Sequence, residues 1–296
     1  MKNTLNLLLI LLAGVWLMPS CDEIEAPYLR DSVIIDTSAC PVPDFPDLVN
    51  PEQKVLLEEY TGQYCPNCPA AAVLAKDLMT LHGDRLVVMA VHAGFFADPK
   101  SPPYDNDFRC AEGTELDQFF GIGMAGNPNG MVNRKGFSQS HILAPASWAS
   151  EIELSLNATP QLALQLLLDW NEEEQRLCSH IRTVFLDDMK EDLKLVLYIT
   201  EDSIPSAQKN NSPQVGPTPD ILDYTQMYML RGSILGTWGV DLASSDTLSF
   251  EGDEVIRSYA YAFPGAWKVE QCRVIAFVYH PDDYRILQVE SKKIVE

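Results

Sequence analysis

The sequence predicts an α/β domain followed by an all-β sandwich, and three observations carry the prediction. Residues 54–94 spell strand, helix, strand. A Cys-x-x-Cys, Cys65-Pro66-Asn67-Cys68, sits where the first strand pattern turns into the helix pattern. After Pro160 the periodicity changes to short strands separated by turn signals. A chain of 296 residues with 46% apolar side chains suits two domains, each able to bury a core.

The N-terminus bears on compartment. Lys2 is followed by a leucine-rich run without charge until Asp22, too short for a typical membrane span. Basic start, apolar core and a small residue before a break make residues 1–20 a secretory signal. The run closes on Ser20-Cys21, as in the lipobox of bacterial lipoproteins, so Cys21 is the expected lipidation site. The expected location is a membrane, held by the lipid anchor; the family resemblance below implies the outer membrane, with the body facing the periplasm or the cell surface. Residues 21–50, rich in Asp and Pro, read as a tether with one short strand at 32–35.

The formal net charge is −21, and loss of Lys2 with the signal makes it one unit more negative. Nucleic acid is excluded as a partner, because phosphate contacts need Lys and Arg. Docking on anionic lipid is disfavoured for the same reason. The expected partners are the membrane, through the anchor, and exported proteins or surface ligands.

Within the α/β part (residues 51–158), "KVLLEEYTG" reads as a strand. "PAAAVLAKDLMTLHG" is a helix stopped by Gly83, and "RLVVMAVHAG" a strand buried on both faces. A Pro- and Asp-rich insertion, "FFADPKSPPYDNDFRCAEG", precedes a short helix, "TELDQFFGI". "GMAGNPNGMVNRKG" then leads into a short strand, and "APASWASEIELSLN" is a closing helix. Residues 159–296 contain seven strand-like runs: "QLALQLLLDW", "RLCSHIRTVFLD", "LKLVLYITED", "DTLSFEG", "VIRSYAYAFP", "QCRVIAFVYH" and "RILQVESKKIV". "SIPSAQKNNSPQVGPTPD" reads as a polar loop.

The position of the CPNC gives it chemistry. A helix N-terminus carries partial positive charge and free N–H groups, both favouring thiolate over thiol. Cys65 is expected at an exposed tip as the attacking thiol, and Cys68 one turn inward as the thiol that resolves a mixed disulfide. A zinc site is not expected, because structural zinc takes four ligands and no second pair has ligand spacing. Covalent haem is excluded, since Pro69 stands where its motif requires His. No cofactor is expected. His92, after a buried strand, reads as a core histidine.

Over residues 50–157 the chain resembles the thioredoxin-like superfamily. In "LLEEYTGQYCPNC", Glu59 stands where that family holds a buried acid, and Tyr64 where it usually carries Trp. The resemblance implies that Glu59 accepts a proton from Cys68 and that Pro128, in "GNPNGMVNR", is the cis-proline beside the disulfide. Tyr64 and Asn127 then lie where substrate would bind. Pro69 and Asn127 depart from the thioredoxin pattern.

A closer resemblance spans nearly the whole mature chain. "LLEEYTGQYCPNCPAA", "GNPNGMVNR", "MLRGSILGTWG" and "CRVIAFVY" look like the Omp-twenty-eight-related outer-membrane lipoproteins of Bacteroidetes. That family pairs a thioredoxin-like domain with a β-sandwich, here of immunoglobulin-like type, behind a lipid anchor. Gln226 and Tyr228 occupy a stretch where the family tends to carry His. Two functions fit. One is a thiol–disulfide oxidoreductase acting on exported proteins. The other is a surface binding or adhesion lipoprotein whose CPNC is an inert structural disulfide. Domain membership suggests bridges Cys178–Cys272, within the sandwich, and Cys40–Cys110, over the rim of the α/β part.

Overall fold

The computed structural model describes residues 40–296. The signal peptide, Cys21, the strand at 32–35 and most of the tether lie outside the described residues.

The α/β part is built on β1 (Val55–Thr61), α1 (Cys68–His82) and β2 (Leu86–His92). α2 (Ala111–Phe120) and α3 (Ile122–Ala125) follow, then β3 (Asn129–Val132) and α4 (Pro145–Leu156). β1 and β2 run parallel, and β3 lies antiparallel on the other side of β1. All seven residues of β1 and of β2 are buried, as expected for a strand covered on both faces. α1 has proline in its first turn, where a missing N–H costs nothing, and ends at Gly83 with φ of 62°.

Ten strands follow: β4 (Leu162–Asn171), β5 (Arg176–Phe185), β6 (Leu193–Glu201), β7 (Ile204–Lys209) and β8 (Asp220–Gln226), then β9 (Met229–Ser233), β10 (Val240–Ala243), β11 (Glu254–Ala262), β12 (Cys272–Tyr279) and β13 (Ile286–Lys293). Six of the seven expected strand runs are present. The run "DTLSFEG" is instead a turn with one isolated bridge, Met189 to Ser249. It lacks a partner strand to extend along. The expected polar loop contains β7 and leads through a turn into β8, and the two pair as a hairpin.

One sheet joins the two parts in the order β13-β12-β6-β9-β2-β1-β3, with β10 on β6, and β11-β5-β4 form a separate sheet. β9 is the link: it pairs with β6 and meets β2 at Ala90–Met229. Period-2 alternation then builds three cores. Leu195, Leu197 and Ile199 of β6, with Val274, Ala276 and Val278 of β12, pack against β4, β5 and β11. The opposite faces, Val196, Tyr198, Ile275, Phe277 and Tyr279, pack with Leu56, Tyr60, Val87, Met89 and Val91 of β1 and β2. Val55, Leu57, Leu86 and Val88 face α1 and α4. The layers are helices, the β1–β2 part of the large sheet, its β6–β12 part as the middle sheet, and the outer sheet of β4, β5 and β11, so the fold is thioredoxin-like followed by a β-sandwich.

The middle core holds a buried ion pair. Arg134 reaches Glu58 with two bonds of 2.7 Å, and both side chains are fully buried. Phe120, Phe277 and Tyr279 surround the guanidinium within 5.9 Å. Asn133 and Arg134 have positive φ, and the Asn133 side chain accepts the Leu56 N–H at 2.8 Å. The "VNR" turn thereby clamps β1 while aiming Arg134 at Glu58.

The expected bridges are corrected. Cys178 is bonded to Cys40, while Cys110 and Cys272 are reduced. Alternation gives the reason: Leu177 and Ile181 face the core of the sandwich, so Cys178 points to the other face of its sheet. Cys272 lies inside that core and cannot meet it. Residues 40–46 run along the outer face, where the Pro46 carbonyl accepts from Gln165. Cys110 caps α2, its sulfur accepting the Gly113 N–H.

Two expected outcomes follow from this packing. The Cys40–Cys178 bridge spans 138 residues of sequence, so C40A/C178A should lose about 5 kcal/mol in urea unfolding; peptide mapping should recover the Cys40–Cys178 pair, with Cys272 alkylated only after unfolding. Arg134→Met should cost about 3–5 kcal/mol, because it strands a buried carboxylate. A loss below 1 kcal/mol would mean that water reaches Glu58.

Candidate functional site

The end of β1 enters a tight turn. The Cys65 N–H bonds the Gly62 carbonyl at 3.0 Å and the Tyr64 N–H bonds the Phe96 carbonyl at 3.0 Å. Gly62 is required there: a Cβ would lie 2.3 Å from the Phe96 carbonyl carbon. Cys65 and Cys68 form a disulfide with Cα atoms 5.5 Å apart, at the start of α1.

The expected exposed tip is not found. Cys65 is 1% exposed and Cys68 2%. The β7–β8 hairpin lies over the loop. Gln208 Nε2 donates to the carbonyls of Gly62 (3.2 Å) and Cys65 (3.0 Å). The Lys209 N–H bonds the Gln63 carbonyl at 2.9 Å, and the Asn211 N–H bonds the Pro66 carbonyl at 2.7 Å. Four backbone acceptors around the CPNC are thus held by one hairpin. Gln226 braces it by donating to Gln208 Oε1 and Ser206 Oγ, both at 3.0 Å.

The insertion supports the hairpin. Gln63 Nε2 donates to the Tyr104 carbonyl at 2.9 Å. Tyr104 donates its hydroxyl to Asp220, which also pairs with Lys209 at 2.7 Å. Tyr64 meets Tyr104 edge-on at 5.4 Å, with the Lys209 ammonium above both rings. The Asn127–Pro128 peptide bond is cis. Register places Pro128 next to the Asn129–Tyr60 pair, near the end of β1. The Asn127 side-chain oxygen is buried without a hydrogen-bond partner among the described residues.

Glu59 is the exceptional charge. It lies beside Glu58 in sequence but faces α1 instead of Arg134. Glu59 is 2% exposed, and its Oε1 has no partner among the described residues. Burial pushes its pKa from 4.5 up to about 8. It lines a cavity of about 360 Å³ between α1 and β8, together with Cys68 and Gln226. His92 is buried against Phe108. Burial first, then the charge of Arg231, pushes it down to about 4 against a small opposing pull from Gln226. Among the described residues no three His, Cys, Asp or Glu side chains gather to hold a metal.

Sequence reasoning singled out Glu59 and the two cysteines, which the fold brings together, and missed the hairpin that lies on them. Gln208 and Asn211 carry no motif of their own. The Asn210-Asn211 turn followed by Pro and Gly was the available signal.

Residues 117–296 match the family model described as outer membrane protein Omp28. Two solved structures are similar in fold. HBP35 of Porphyromonas gingivalis shares 19% identity over 83% of this chain and 76% of its own, with a TM-score of 0.60. Protein AGR_C_4864 of Agrobacterium tumefaciens shares 13% identity over 84% of this chain and 97% of its own, with a TM-score of 0.50. No curated protein matches the chain.

Glu59 carries a pH signature. The folded protein keeps its proton up to pH about 8, whereas the unfolded chain releases it near 4.5. Wild-type stability should therefore fall as pH rises from 4.5 to 8. Glu59→Gln removes that slope. The variant should match wild type near pH 4 and exceed it by about 3 kcal/mol at pH 7 in urea unfolding. Parallel pH profiles would show that Glu59 is ionised in the fold.

Proposed function

The chain belongs to the Omp28 family of outer membrane proteins, and from that premise we propose that it is a binding lipoprotein of the outer membrane whose CPNC disulfide is structural. The observation that carries the reading is the hairpin: it takes up the carbonyls of Gly62, Gln63, Cys65 and Pro66 and leaves Cys65 1% exposed. An attacking thiol needs access as well as a low pKa. In this reading residues 51–158 supply the covalently closed loop and residues 159–296 supply its cover. Tyr64, held under Lys209, braces the closed form. The anchor is Cys21.

One observation favours a second reading, a thiol–disulfide oxidoreductase of exported proteins. Glu59 holds a high-pKa carboxyl in the same cavity as Cys68. In the reduced protein the Cys65 thiolate would attack a substrate disulfide. Cys68, losing its proton to the ionised form of Glu59, would then displace the substrate thiolate and restore the Cys65–Cys68 bond. That cycle needs the hairpin to leave.

Alkylation decides between them. In the folded protein, mild dithiothreitol followed by iodoacetamide should leave Cys65 unlabelled. Gln208→Ala, which removes bonds worth about 1–3 kcal/mol together, should speed reduction about tenfold. Rapid labelling of Cys65 in wild type, with mixed disulfides trapped by Cys68→Ala, would establish the oxidoreductase instead.

A further inference from the structure

The cavity beside the disulfide has a floor that nothing in the chain uses. Its walls are mostly apolar, with Ala72 and Val73 on α1 and Met227 opposite, while Thr61, Lys76, Gln208 and Gln226 add polar groups to the lining. Its volume of about 360 Å³ lies within the range of small-molecule sites. At the bottom the Glu59 carboxyl is buried, with Oε1 unpartnered among the described residues. A buried polar atom without a partner has given up its hydration with nothing in return. A ligand that bonds it recovers that cost, which an apolar filling could not do.

We propose that this cavity binds a compact, uncharged apolar molecule whose carbonyl oxygen accepts a hydrogen bond from the Glu59 carboxyl at its floor. A neutral carboxylic acid offers one O–H donor, and a ketone, ester or amide carbonyl is its simplest complement. Charged ligands fit worse. An anion would lose its hydration against apolar walls and meet a strongly acidic protein. A cation would face Lys76. The proposal rests on the binding reading above and supplies the ligand class that reading lacks.

Protonation of Glu59 makes binding pH-dependent. The other titratable groups around it are Lys76 on α1, Tyr224 on β8, Tyr228 after it, and His92 on the same face of β2. Burial, then the charge of Glu59, holds Tyr224 up at about 12, and burial raises Tyr228. His92 at about 4 stays neutral from pH 7 upward. Burial holds Glu59 itself up at about 8.

The test is fluorescence titration of the oxidised, folded protein with prodan, an uncharged naphthyl ketone whose emission shifts to the blue on entering an apolar site. One saturable site is expected at pH 7. Ala72→Trp, on a half-exposed helix position, should fill the cavity and weaken binding at least tenfold. Wild-type affinity should fall about tenfold or more between pH 7 and pH 9.5. Glu59→Gln keeps an N–H donor and should bind with a flat pH profile, so it separates Glu59 from Lys76. Absence of saturable binding overturns the proposal, as does unchanged affinity in Ala72→Trp or a flat wild-type profile. Failure here is distinct from failure of the binding reading. A reactive Cys65 together with pH-dependent prodan binding would sink the structural disulfide and leave the site. A silent disulfide without prodan binding would sink the site alone.

Discussion

The Arg134–Glu58 pair fixes which way β1 faces. Its two bonds of 2.7 Å lie in the layer between the α/β strands and the middle sheet, where both partners are fully buried. A one-residue slip of β1 would put Glu59 against Arg134 and Glu58 against α1, and would turn Leu56 and Tyr60 out of their core. The turn that carries Arg134 also bonds the start of β1 through Asn133, and the Ile286 N–H bonds the Asn133 carbonyl at 2.9 Å. One short segment thus ties β3, β1 and β13 into a single register. The position of every group at the CPNC follows from it.

Two adjacent carboxyl groups therefore meet opposite conditions. Glu58 is paired, and its burial is compensated by a guanidinium. Glu59 has no ion pair among the described residues, so the same burial is relieved by keeping its proton. Each state is maintained by its face of the strand. A neutral acid without a partner is a standing cost in a protein of this size. It shares its cavity with Cys68, so the same burial that holds the proton also borders the disulfide.

The α/β part was legible because its signals are local. The buried runs of β1 and β2, the alanine-rich α1 and the cysteine spacing lie within residues 54–94, where period and capping can be read directly. Glu59 was legible by its distance from Cys65. What the sequence hid is long-range. The β7–β8 hairpin reads as a polar loop because its polar residues bond distant partners: Gln208 and the Asn211 N–H hold the CPNC loop, and Ser206 accepts from Gln226. Cysteine pairing failed because domain membership says nothing about which face of a sheet a thiol occupies. Cys178 and Cys272 share the sandwich but sit on opposite sides of the outer sheet. The link through β9 was hidden as well, since a single register contact with β2 leaves no trace in periodicity.

The cover over the disulfide is anchored at both ends. β7 follows β6 after two residues, and β8 leads into β9 after two more. Both β6 and β9 are in the eight-stranded sheet, with Leu197, Ile199 and Leu230 buried in its cores. A hairpin held this way swings about short connections; it does not drift off with a flexible loop. Any opening must break the bonds of Gln208, Lys209 and Asn211 to the CPNC loop while the strands beneath stay paired. Gln208 is central to that set, because it contacts the CPNC carbonyls on one side and Gln226, on the cavity wall, on the other. Occupancy of the cavity and closure over the disulfide consequently share one side chain.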